Sequence, residues 1–108
     1  MSSIIRLGTV RKAGRLLPRR AVGLRGGVVV LKPGGIMDWH STKTREELII
    51  FLEGRAQVEI QSRSQRRGRR IAMSGGKYAF LPRRTLHRVV NRSNVNARYI
   101  YVTGVLVT

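Results

Sequence analysis

Short runs of Val, Ile, Leu, Tyr and Phe alternate along the chain with turn-forming residues, and no stretch carries a sustained helical stripe. The clearest pattern sets Ala56, Val58 and Ile60 against Gln57, Glu59 and Gln61, the period-two signature of a half-buried strand. Gly26-Gly27, Pro33-Gly34-Gly35, Gly54, Arg67-Gly68, Gly75-Gly76, Pro82 and the segment Asn91 to Asn96 punctuate the runs as turn signals. The pattern predicts strands near 4–7, 28–32, 36–41, 48–53, 56–62, 70–73, 77–81, 86–91 and 97–107. Regular short strands between Gly and Pro turns point to an all-β antiparallel sandwich or barrel. Val10 to Leu17 has room for a turn or two of helix. The last run, Ala97 to Val107, is apolar on both faces. One face suits the core and the other suits a second copy of the chain, so a homodimer is expected.

At 108 residues, the whole chain 1–108 reads as one domain that can build one core without staples. It has no cysteine, which excludes disulfides, zinc fingers and thiol catalysis. No apolar run approaches the roughly 20 residues of a membrane helix, so no membrane partner is expected. There is no secretory apolar segment, and the expected location is cytoplasmic. Residues 1–37 are basic and free of acid, as a mitochondrial-type leader is, but the rest of the chain is equally basic. They are therefore read as part of the domain.

Charge changes the picture more. Lys and Arg number 22 against 5 Asp and Glu, a formal net charge of +17, and 18 of the cations are Arg. Such a body attracts anions, whether nucleic acid, membrane, small acids or salt. Its densest stretch is Ser62 to Arg70, SRSQRRGRR, read as a hairpin loop with Gly68 in the turn. Its five arginines could grip phosphates. However, the aromatic residues, only 6 % of the chain, are not interleaved with it as a stacking platform needs. A solvated loop is the favoured reading, and a nucleic-acid partner is not.

Two spaced constellations carry the candidate chemistry. The first, over 34–54, runs Gly34, five residues, His40, one residue, Thr42, four residues, Glu47, six residues, Gly54. The second, over 76–91, runs Gly76, five residues, Pro82, Arg83, Arg84, two residues, His87, three residues, Asn91. These resemble the two motifs of the cupin superfamily in order and in every spacing. Eight of the ten motif residues match, the departures being Thr42 at the family's second His and Arg84 at its Gly. The resemblance implies a single-domain cupin-like β-barrel, a jelly roll of two sheets open at one end. It also implies a divalent metal ion, Fe, Mn, Ni, Zn or Co, held by His40, Glu47 and His87, with Thr42 at the missing ligand position.

The residues themselves are compatible with that implication. On strands, His40 and Thr42 share a face with Asp38 behind them, Glu47 shares one with Ile49 and Phe51, and His87 shares one with Val89. An apolar wall with a few converging polar groups is the usual make-up of a ligand pocket. Two imidazoles and a carboxylate suit Fe(II), Mn, Ni or Zn and leave positions open for water and substrate. The alternative is a pair of buried core histidines hydrogen-bonded to Glu47. Asp38 reads as a surface residue rather than a fourth ligand. Arg84, at the mouth of the barrel, could grip a carboxylate or phosphate, and Thr42 could contact the same ligand. Trp39 lies on the face opposite His40 and reads as core or subunit contact. The expected function is a metal-dependent pocket acting on or binding a small, anionic molecule. A non-catalytic module, with a small effector in the barrel or nucleic acid on the basic surface, is the alternative.

Overall fold

The computed structural model describes residues 8–62 and 65–105, side chains of 62 and 65–67 excepted. In chain order the strands are β1 (Gly14–Arg15), β2 (Leu24–Leu31), β3 (Ile36–Ser41), β4 (Arg45–Glu53), β5 (Arg55–Ser62), β6 (Gln65–Ser74), β7 (Tyr78–Leu81), β8 (Leu86–Val90) and β9 (Ala97–Val105). They form two antiparallel sheets, β1-β2-β9-β4-β7 and β3-β8-β5-β6. The all-β expectation is met, and among the described residues no helix is long and apolar enough to cross a membrane. The strand expected at 4–7 lies outside the described residues.

The sheets face each other across the inward positions of each strand. Ala56 and Val58 of β5 point inward as their alternation predicts, with Val58 and its partner Val89 almost fully buried. Ile49, Phe51, Leu81 and Tyr99 complete the centre of the core, with the Phe51 and Tyr99 rings stacked at 4.9 Å between centroids. Along β4 the inward side chains read Phe51, Ile49, Glu47, Arg45, and along β8 they read Val89, His87. The space between the sheets is therefore packed with apolar groups at one end and lined with polar ones at the other. That gradient, written by alternate residues of single strands, positions the site.

Two expected turns are not turns. Gly26-Gly27 sits inside β2, because a side chain there would collide with its neighbours. A Cβ at Gly27 would stand 2.9 Å from the Gly14 carbonyl oxygen and 3.1 Å from the Tyr101 ring. The glycine here reports close approach of strands rather than reversal of the chain. The Arg-rich stretch is likewise mostly strand: β6 begins at Gln65 and pairs with β5, with Ser62 opposite Gln65 and residues 63–64 outside the described set. Gly68, expected in the turn, instead has φ of +65° beside a register shift, where a Cβ would strike the Ile60 carbonyl oxygen. It marks a β-bulge. Charge hid this strand, since an edge strand tolerates and even favours cations.

On the outer face of the second sheet, Glu59 is nearly buried beneath arginines. Arg88 Nε donates to one carboxylate oxygen at 2.8 Å, Arg92 Nη1 to the other at 2.6 Å, and Arg70 approaches within 3.7 Å. Burial pushes the Glu59 pKa up, but Arg92 and Arg88 outweigh it and hold the carboxyl below its usual range. Arg88 also lies over the half-exposed Trp39 ring, 4.9 Å from its centroid. Trp39 is thus neither core nor part of the inward wall.

Candidate metal centre and cavity

His40 and His87 face each other across the β3–β8 pair. Met37 pairs with Val89 and His40 with His87, so β3 spans three residues where β8 spans two. The extra residue makes a bulge at Asp38-Trp39 and reverses the parity that simple alternation gives Asp38. Asp38 is exposed, its carboxylate accepts from the Trp39 backbone N–H at 2.7 Å, and it stands apart from the histidine cluster. The bulge is also what lets Met37 and His40 both face inward.

Each histidine is oriented by the backbone two residues before it. His40 Nδ1 donates to the Asp38 carbonyl at 2.8 Å, and His87 Nδ1 donates to the Thr85 carbonyl at 3.1 Å. A carbonyl oxygen can only accept, so both Nδ1 atoms carry hydrogen, and in its neutral form each ring presents a lone pair at Nε2. This second hydrogen bond is the usual arrangement behind a metal-binding imidazole. The rings lie 4.2 Å apart between centroids, tilted by 56°. His87 is fully buried, and its Nε2 has no hydrogen-bond partner among the described residues. The nearest candidate is Glu47 Oε2 at 3.4 Å. Burial disfavours the charged form of His87, but Glu47 and the Thr85 carbonyl outweigh it, and its pKa is raised above the ordinary value.

Ligand atoms of His40, Glu47 and His87 all lie within 4.8 Å of one another. Donors bound at about 2.1 Å to one ion stand roughly 3–4 Å apart, so the Glu47–His87 pair already has the right separation. An unpartnered buried imidazole nitrogen, a carboxylate and a second oriented imidazole together fit a borderline divalent ion. The buried-pair alternative fits less well, since His40 is exposed.

The cluster lines a cavity of about 460 Å³ between the sheets. Met37 and Val89 give it an apolar wall on one sheet, and Val29 of β2 with Tyr99, Tyr101 and Thr103 of β9 line it from the other. Burial, Glu47 and Tyr101 all raise the Tyr99 pKa, so its phenol stays protonated in the physiological range. Thr42 also lines the cavity, but its hydroxyl donates to the Pro82 carbonyl at 2.8 Å and accepts from the Thr85 N–H at 3.0 Å. It pins the β7–β8 connection to β3, which keeps the two histidines in register. Arg84 does not join the cavity wall. It is exposed, has φ of +59°, and donates its backbone N–H to the Lys43 carbonyl at 2.8 Å. The motif's glycine at this position answers to that left-handed backbone. Replacing Arg84 with Gly is expected to raise the unfolding free energy by about 0.5–1 kcal/mol, read from urea unfolding.

Two arginines that the motifs do not mention, Arg45 and Arg15, do line the cavity. Arg45 precedes Glu47 by two on the same strand, so alternation was the signal for it. It was missed because the strand begins three residues earlier than its apolar run.

A family model for the cupin domain matches residues 27–103. The chain belongs to the cupin family. Its fold is similar to that of a cupin 2 conserved barrel domain protein from Salinispora arenicola, at 24 % identity and TM-score 0.72, covering 96 % of this chain and 90 % of that one. It is similar to the cupin domain of Cnp3 from Schizosaccharomyces pombe, at 16 % identity and TM-score 0.74, covering 87 % of this chain and 60 % of that one. A predicted oxalate decarboxylase from Thermotoga maritima is similar at 18 % identity and TM-score 0.67, with 76 % and 66 % of the two chains covered. This cupin thus spans 60 % of the length of the Cnp3 domain, and at these identities the likeness is one of fold. Among curated proteins none matches the chain.

Proposed function

We propose that this cupin holds one divalent metal ion, Fe, Mn, Ni, Zn or Co, through His40 Nε2, Glu47 and His87 Nε2, and binds a small anionic molecule beside it. The observation that carries this reading is the fully buried His87 Nε2, which lacks a hydrogen-bond partner among the described residues while Nδ1 is committed to a carbonyl. In the neutral ring that nitrogen is a buried acceptor left unpaired, which costs about 1–3 kcal/mol unless a proton or a cation takes it up. When bound, the metal supplies Lewis acidity or activates oxygen. The chain's own groups do the rest. Glu47 offsets part of the cation's charge, Val29, Met37 and Val89 exclude water from the walls, and the arginines make the cavity attractive to anions.

Metal analysis of protein purified without a His tag is expected to give about one ion per chain, and none bound tightly after His87→Ala. Wild-type protein that takes up no Fe, Mn, Ni, Zn or Co would end this reading.

Two copies are expected to pair through the outer face of the five-stranded sheet. There Phe80, Leu48 and Val102 form one apolar row across β7-β4-β9, and Tyr78, Ile50 and Ile100 form a second. Tyr78 and Phe80 are 70 % and 55 % exposed. Sedimentation equilibrium should read twice the 12.2 kDa chain mass, and Phe80→Glu should halve it. A wild-type monomer at micromolar concentration refutes the pairing.

A further inference from the structure

We propose that Arg45 is the specificity-determining residue of the cavity and that it selects a small organic acid by gripping a carboxylate. The inference rests on the metal-binding reading of the same cavity and adds to it the class of ligand and the residue that recognises it.

Arg45 and Glu47 occupy successive inward positions of β4, so their Cα atoms are roughly 6–7 Å apart along the strand. A molecule of a few carbon atoms reaches from one to the other. The Arg45 guanidinium is held from behind. Its Nε donates to Thr103 Oγ1 at 2.8 Å, and Nη2 donates to the carbonyls of Gly23 and Thr103, each at 3.2 Å. Those bonds use three of its five N–H donors and leave the two on Nη1 without a hydrogen bond among the described residues.

Every one of these partners is neutral, and no ion pair to Arg45 occurs among the described residues. The acid on the cavity wall, Glu47, faces His87 instead. Glu59, by contrast, shows how this chain neutralises guanidinium groups where it does so, with carboxylate contacts at 2.6 and 2.8 Å. Arg45 therefore carries a fixed, uncompensated charge into a partly apolar cavity. That is the arrangement that favours a carboxylate, since the fork is already immobilised and the surroundings screen poorly. Arg84, exposed and outside the wall, has neither feature.

The test is calorimetric titration of succinate, and of uncharged succinamide as control, into wild-type protein, Arg45→Gln, Thr103→Val and Arg84→Gln, each with and without added manganese. Metal uptake and thermal melting are measured on the same preparations. Succinate is expected to bind wild-type protein and succinamide is not. Arg45→Gln should weaken succinate at least tenfold while manganese uptake stays at the wild-type stoichiometry. Thr103→Val removes only the hydroxyl behind the guanidinium and should give a smaller loss, which keeps the inference testable if Arg45→Gln folds poorly. Unchanged succinate affinity in both Arg45→Gln and Thr103→Val, equal binding of succinamide, or a loss caused by Arg84→Gln instead would each overturn it. Failure of manganese uptake in wild-type protein would count against the metal reading alone, because the titrations without metal still report on Arg45.

Discussion

Replacing Asn91 with Leu is expected to lower the unfolding free energy by about 3–4 kcal/mol, a large share of the 5–15 kcal/mol typical of a small domain. Asn91 is fully buried. Its Nδ2 donates to the Leu31 carbonyl at 2.9 Å and to the Val95 carbonyl at 2.8 Å. Its Oδ1 accepts from the Ser93 N–H at 3.0 Å and from Ser93 Oγ at 2.6 Å. The amide thus has every donor and both acceptor positions filled. Leu has the same number of side-chain heavy atoms but is bulkier and offers none of these bonds, and it leaves the Leu31 carbonyl and the Ser93 N–H facing an apolar group. Urea unfolding reads the loss. A change below about 1 kcal/mol would mean that water replaces the amide, and the backbone bonds between Asn91 and Gly34-Gly35 would then not depend on its side chain.

The consequence reaches the site because of where Asn91 stands. Its backbone carbonyl accepts from Gly34 N at 2.8 Å, and its N–H donates to the Gly35 carbonyl at 3.0 Å. The first residue of one motif and the last residue of the other are therefore directly bonded. At the far end of the same strand pair, Thr42 N donates to the Thr85 carbonyl and Arg84 N to the Lys43 carbonyl. β3 and β8 are clipped at both ends, and His40 and His87 sit between the clips. The motif residues outside the His40–Glu47–His87 cluster act by fixing the register of those within it.

This explains what could be read from the sequence and what could not. His40, Glu47 and His87 were legible because motif spacing encodes strand length and turn position, and the strands kept that spacing. The inward face of β5 was legible because Ala56, Val58 and Ile60 obey a strict period of two. The parity of Asp38 was not, since one inserted residue in β3 reverses it and no local residue type announces a bulge there. The strand character of the Arg-rich segment was obscured because its pairing is carried by backbone bonds, which composition does not record. Gly26-Gly27 carries the same letters as a turn, and only the Tyr101 ring opposite shows that the missing side chains make room for a neighbour. Arg45 was obscured for a related reason, since nothing in its own side chain distinguishes it from the other 17 arginines. Its place two residues before Glu47 becomes informative only once β4 is known to start there.

Between the raised pKa of His87 and the ordinary imidazole value of about 6.5, metal affinity is expected to fall about tenfold for each pH unit, with close to one proton released per ion bound. Without metal, the protonated His87 ring pairs with Glu47, and this partner together with the Thr85 carbonyl is what raises its pKa despite burial. A metal ion needs the Nε2 lone pair, so it must displace that proton. Because the pKa is raised rather than lowered, the competition extends to higher pH than it would for a free imidazole. The same shift gives the metal-free fold a pH dependence of opposite sign. His87 contributes stability that is fully present below the ordinary imidazole value of about 6.5 and is lost as pH rises through its raised value in the folded state. Across that interval the metal-loaded protein should hold its stability, because the gain in affinity offsets the loss, while the metal-free protein loses it. Thermal melts of both forms from pH 5 to 9, with calorimetry in buffers of different ionisation enthalpy to count protons, check the two signs together. In His87→Ala the metal-free slope through this window should flatten, and metal should no longer shift the melting temperature. Parallel pH slopes for the two wild-type forms would show that the ion, if bound, does not replace the proton on His87.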